Sequence, residues 1–173
     1  GGAITFIKKL TASSSSTLSF VDGSSDVVLD STYKEYMFIF KDIHPSNSTV
    51  GFYFNGSADT GSNYNVTKTT TYFLSRHAED GSSSELSYKT GLDLAQGTDF
   101  QPLSIDQIND NDSSMCGILH LFNPSSTTFV KHFICRTQQM QVDDSMENYS
   151  AGYFNTTSAV DAIQFKYSAG NID

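Results

Sequence analysis

Tryptophan is absent from this chain, and proline, cysteine and positive charge are scarce: three prolines, two cysteines and ten Lys and Arg among 173 residues. Each scarcity excludes something. Two cysteines, Cys116 and Cys135, cannot build a disulfide framework, and no CxxC or Cys/His spacing marks a zinc site. Ten basic residues against nineteen acidic ones leave a net charge of −9. Such a chain repels phosphate backbones and anionic lipid surfaces, so neither nucleic acid nor membrane is an expected partner. No apolar run approaches the ~20 residues that span a bilayer as a helix. The opening GGAITFIKKL lacks the charged-then-apolar order of a secretory leader, which argues against ordinary secretion. The signatures GxSxG, HExxH, GxxxxGK[ST] and GxGxxG are missing as well. The residue types for catalysis are present without an arrangement, so an enzyme is not expected and no cofactor is implied.

What is abundant points to sheet and turn. Ser and Thr make up roughly a quarter of the chain, above ordinary usage. Phe and Tyr number 13 and 9 and, with Val and Thr, favour strands. Short period-two runs alternate with Gly, Ser, Asn and Asp clusters. Strands are expected at AITFIKKL (3–10), TLSFVD (17–22), YKEYMFIFKDI (33–43), VGFYFN (50–55), VTKTTTYFLSRH (66–77) and ELSYKTGLDL (85–94). MCGILHLF (115–122), TFVKHFICR (128–136), NYSAGYFN (148–155) and DAIQFKYS (161–168) complete the set. SSDVVLDSTY has room for one helical turn, and DFQPLSIDQINDND reads as irregular or briefly helical. About ten short strands without an amphipathic helix imply an all-β fold, one antiparallel β-sandwich or jelly roll over 1–173.

The sharpest local expectation is a hairpin over 115–136 around NPSST. With Phe122 opposite Phe129, Ile118 faces Phe133 and Cys116 faces Cys135. Two readings stay open: a cross-strand disulfide, or two buried thiols packing as small hydrophobes. A one-residue slip would separate the thiols. In this register His120 and His132 point to opposite faces. They and His44 and His77 read as ordinary edge or core histidines rather than ligands.

The stretch VGFYFNGSADTGSNYN sets aromatic rings beside short polar side chains. Period two places Phe52 and Phe54 in the core and Tyr53 and Asn55 on the other face. The turn over 56–63 then presents the candidates for contact: Tyr53, Asn55, Asp59, Asn63, Tyr64 and Asn65. Asp110 and Asp112 alternate in NDNDSS as calcium ligands can, but the EF-hand positions for Gly and Glu hold Met115 and Leu121. They stand as weak calcium candidates. Asp59, Asp80, Asp143 and Asp144 read as solvated turn formers. Asn-x-Ser/Thr occurs at Asn47, Asn55, Asn65, Asn111, Asn148 and Asn155, a chance product of this composition.

The stretch AITFIKKLTASSSSTLSFVDGSSDVVLDSTYKEYMFIFKDIHPSN, the loop SADTGSNYN and the closing DAIQFKYSAGNID resemble small virion structural proteins of tailed bacteriophages, especially marine and cyanobacterial ones. The resemblance implies a β-sandwich displayed on a virion, as capsid decoration, head fibre or tail-fibre tip. It implies other virion proteins as partners, self-association (a trimer among the options), contact with a host-surface glycan and release by lysis. It also implies a further Gly-led strand after Asp173. Two alternatives stand beside it. One is a lectin-like module stacking sugars on Tyr53, Tyr64, Tyr72 and Tyr88. The other is a glycan-cleaving sandwich, which needs a carboxylate pair roughly 5 to 9 Å apart in a groove.

Overall fold

In a computed structural model, which describes residues 3–173, the period-two runs become ten strands, and no helix forms among the described residues. They are β1 (Leu18–Val21), β2 (Glu35–Ile43), β3 (Phe52–Ser57), β4 (Lys68–Ala78), β5 (Ser84–Tyr88), β6 (Gln101–Pro102), β7 (Met115–Phe122), β8 (Lys131–Gln141), β9 (Asp144–Phe154) and β10 (Ala162–Tyr167). A four-stranded sheet runs β1-β10-β3-β6 and a six-stranded sheet runs β2-β7-β8-β9-β4-β5, all pairs antiparallel. The molecule is the β-sandwich that the composition implies.

The core between the sheets is built from phenylalanine. Phe165 on β10 is its hub: its ring lies 5.1 Å from Phe40, 5.5 Å from Phe38 and 5.8 Å from Phe52, centroid to centroid. Phe54 meets Phe133 of the opposite sheet at 4.8 Å, nearly edge to face. These contacts combine large apolar burial with the favoured ring geometry. The expected inward placement of Phe52 and Phe54 holds; both are fully buried.

The six-stranded sheet is wider than its partner. Part of the inner face of β4, β8 and β9 is covered by the irregular segment between β5 and β7 instead of by strands. That segment brings backbone carbonyls into the interior, and they must find donors. Polar inward side chains supply them. Thr137 Oγ1 donates to Leu103 O at 2.7 Å, and Gln139 Nε2 to Ile105 O at 2.5 Å. Asn148 Nδ2 lies 3.3 Å from both Thr137 Oγ1 and Gln139 Oε1, and Tyr72 donates its hydroxyl to Asn148 Oδ1 at 2.7 Å. A second, smaller apolar cluster of Tyr72, Leu74 and Met146 packs with Leu92 and Ile105 beside this layer.

Four local expectations need correction. Residues 3–10 form no strand. Residues 24–33 form turns rather than a helical turn, with Ser25 and Asp26 at positive φ and Val27 and Leu29 buried. The polar run 137–147 is not loop: β8 and β9 continue through it and meet in a two-residue connection with Val142 at φ 52°. In the β7–β8 hairpin, Leu121 faces Phe133 and Leu119 faces Cys135, while Cys116 faces Gln138. Phe129 stays exposed in a longer connection, so the pairing is three residues off the expected one. An odd displacement exchanges faces. Cys116 is therefore exposed and Cys135 buried, both thiols are free, and no disulfide joins them. The same displacement puts His120 and His132 on one outer face instead of opposite ones.

Candidate functional site

Two surfaces carry the candidate residues. The first is the tip at the end of β3. Asp59 organises it: its carboxylate accepts from Ser57 Oγ at 2.6 Å, Asn63 N at 2.9 Å and Asn63 Nδ2 at 2.7 Å. The Ser57 and Asn63 hydrogen bonds hold its carboxyl down at about 2. Gly61 closes the turn at φ 76°, a conformation that suits glycine. Asp161 accepts from Thr60 N at 3.0 Å and ties the tip to the strand opening β10.

Asn55 is not part of the contact surface. It is buried, because residues 64–68 and 98 close over its side of β3. Its Nδ2 donates to Tyr64 O at 2.6 Å and Thr98 O at 2.9 Å, and its Oδ1 accepts from Lys68 Nζ at 2.7 Å. Tyr53 is half-buried beside Pro102, and desolvation raises its hydroxyl pKa. Asn63 spends its amide on Asp59, which leaves Tyr64 and Asn65 as the open groups of the tip. Tyr72 is buried, whereas Tyr88 is half-exposed with its hydroxyl on Asp93. Of the Asn-x-Ser/Thr positions, Asn55 and Asn148 are buried and used internally.

Asp110 and Asp112 are exposed on the turn before β7, where Asp110 O accepts from Ser113 N at 3.0 Å and approaches His44 Nε2 at 3.1 Å. Among the described residues no group of three or more His, Cys, Asp or Glu side chains is placed to hold a metal ion.

The second surface is the outer face of the six-stranded sheet, which sequence reasoning missed. The register lines up one row across all six strands: Ile39, Ile118, Arg136, Tyr149, Phe73 and Tyr88. A neighbouring row carries Met37, His120, Ile134 and Ala151. Ile39 is 62% exposed, Ile134 55% and Leu86 75%, so the face presents large apolar side chains to water. The Phe73 and Tyr149 rings stack at 4.6 Å with 5° between planes, and the Arg136 guanidinium lies 5.5 Å from the Tyr149 ring. The doubly apolar MFIF reads as a central strand buried on both sides, whereas β2 lies at the sheet edge and turns Met37 and Ile39 to water.

The central charges of this face pair with one another, whereas Lys41 at the end of β2 is exposed and has no ion-pair partner among the described residues. Glu147 accepts from Arg136 Nε and from the Tyr149 hydroxyl at 2.6 Å. The Arg136 bond chiefly lowers its pKa, and the same carboxylate raises that of Tyr149. His120 Nδ1 meets Glu35 at 2.6 Å. On the opposite face at the β5 edge, Glu85 takes Lys89 at 2.6 Å and Arg76 at 3.8 Å. A shallow polar notch of about 250 Å³ between Ser75, His77, Gln138 and Glu147 borders the band. Chemically, the arrangement is an exposed apolar and aromatic band whose central charges, Arg136 and Glu147, pair with each other. Comparison with models of protein families, with curated proteins and with solved structures found no match.

Proposed function

We propose that the protein is a non-enzymatic structural module of a virion surface, of the tailed-bacteriophage kind that its sequence resembles. It serves as a capsid decoration, head fibre or tail-fibre tip. The observation that carries this reading is the apolar band on the outer face of the six-stranded sheet. Large contiguous apolar surface on a soluble fold marks a place where something binds. Isoleucine, phenylalanine, tyrosine, methionine and arginine, with little free charge at the centre, are the residues of protein–protein interfaces. The partners on this reading are other virion proteins and further copies of the chain. At the tip, Tyr64 and Asn65 on a loop pinned by Asp59 suit contact with a host-surface glycan.

The test uses particles that lack the protein. Wild-type protein added back should bind them. The Ile118→Lys, Ile134→Lys double variant should not, while keeping its far-ultraviolet circular dichroism. Both side chains point outward, so the variant is expected to fold. Equal binding by the variant would remove the support of the apolar band, and failure of the wild type to bind would refute the reading.

A further inference from the structure

The segment before β1 is left unsatisfied by its own fold. Residues 3–12, AITFIKKLTA, run beside β2 but form no strand and make no backbone hydrogen bond among the described residues. Ile7 and Ala12 pack partly on the core, whereas Ile4 and Phe6 are 85% and 79% exposed. β2 is equally incomplete. It is an edge strand that pairs only with β7, and its nine residues are long for an edge. Its middle, YMFIF, carries neither the charge nor the proline that usually guards an open edge. Between the segment and β2 opens a groove of about 1050 Å³ that reaches Phe20, Phe38, Phe40 and Phe165 of the core.

We propose that this groove is filled by residues 3–12 of a second copy of the chain, which adds a strand to the free edge of β2. Three observations choose this occupant. The segment has unpaired backbone groups along its length and so does the edge, and strand addition pairs the two sets. Ile4 and Phe6 are two residues apart, so they can lie on one side of an added strand. Its charge is complementary to the body side of the groove. It holds Lys8 and Lys9, and no acidic residue precedes Asp22. The body side presents Glu35, Asp42 and Asp173 against Lys41, while the resident segment lines the other wall with its own Lys8 and Lys9. The segment of the same copy cannot fill the space, because it already forms the opposite wall. Exchange is reciprocal in a two-fold pair and head-to-tail in a ring. The inference does not rest on the virion reading, since it requires only copies of this chain.

Sedimentation velocity and isotope-mixed cross-linking test it on the full chain. Natural and ¹⁵N-labelled protein are mixed, equilibrated and treated with an amine-reactive cross-linker. The expected result is an oligomer whose mixed-isotope links join Lys8 or Lys9 to Lys34 or Lys41. The Ile4→Asp, Phe6→Asp variant should sediment as a monomer with unchanged circular dichroism, since both side chains are exposed. A wild-type monomer at every concentration, or arm-to-β2 links of one isotope only, would overturn the proposal. So would an oligomer that survives the arm variant. An oligomer lost instead with Ile118→Lys and Ile134→Lys would assign association to the sheet face, not to the arm.

Discussion

Two buried lysines hold down the loops of the tip. Lys68 Nζ donates to Asn55 Oδ1 at 2.7 Å and Val66 O at 3.0 Å, and Lys131 Nζ donates to Thr156 O at 3.0 Å. Neither forms an ion pair among the described residues. Burial therefore penalises the charged form, and the Lys68 ammonium is pushed down to about 7. The sign follows from linkage. Between pH 7 and about 10.5 the unfolded chain holds a proton on this amine that the folded chain does not. Stability should thus rise with pH in that window, by up to about 1.4 kcal/mol per pH unit, and the burial penalty is fully present below it. Urea denaturation of the wild type and Lys68→Met from pH 6.5 to 10 isolates the effect. The difference in favour of Lys68→Met should shrink as pH rises; a difference independent of pH would show that the buried amine keeps an ordinary affinity for its proton.

At the scale of elements, the tip loop and the β8–β9 hairpin show how polar side chains substitute for secondary structure. The carboxylate of Asp59 satisfies donors that strand pairing leaves free once β3 ends. With its pKa lowered, this contribution is present above the ordinary carboxylate range and is lost as pH falls through about 2. Asp59→Ala at neutral pH should speed amide exchange across residues 59–65 and leave β7, β8 and β9 protected. Unchanged exchange at Asn63 would show that the loop is held by something else. The sandwich itself was legible because Phe52, Phe54, Phe133 and Phe165 alternate with polar residues in a way only strands accommodate. The outer halves of β8 and β9 were not, because Thr137, Gln139 and Asn148 turn inward to meet loop carbonyls. Inward polar residues erase the alternation that a sequence reading relies on. The hairpin register failed for a related reason: Phe129 looks like a strand residue but sits exposed in the connection. At the tip, the turn was legible from its Gly, Ser and Asn, whereas the closure of residues 64–68 over Asn55 depends on a distant loop and was not.

The whole molecule divides its surface by chemistry. A net charge of −9 keeps copies apart in general, so association needs particular surfaces to overcome it. On the proposed readings, the apolar band of the six-stranded sheet is one such surface, and the groove between β2 and the 3–12 segment is the other. They meet along β2, where Met37 and Ile39 line the groove and also face outward with the band. The tip stands apart from both, pinned by Asp59 and the buried lysines. If the band is the attachment surface, the tip is free to face the surroundings. On the proposed virion reading, electron cryo-microscopy of the particles that carry the chain tests this arrangement most directly. The expected image has the sandwich on the particle surface, with Ile118, Ile134 and Phe73 turned into protein density and Tyr64 in open solvent. Particles without the protein, or a sandwich whose six-stranded face looks out into solvent, would contradict it.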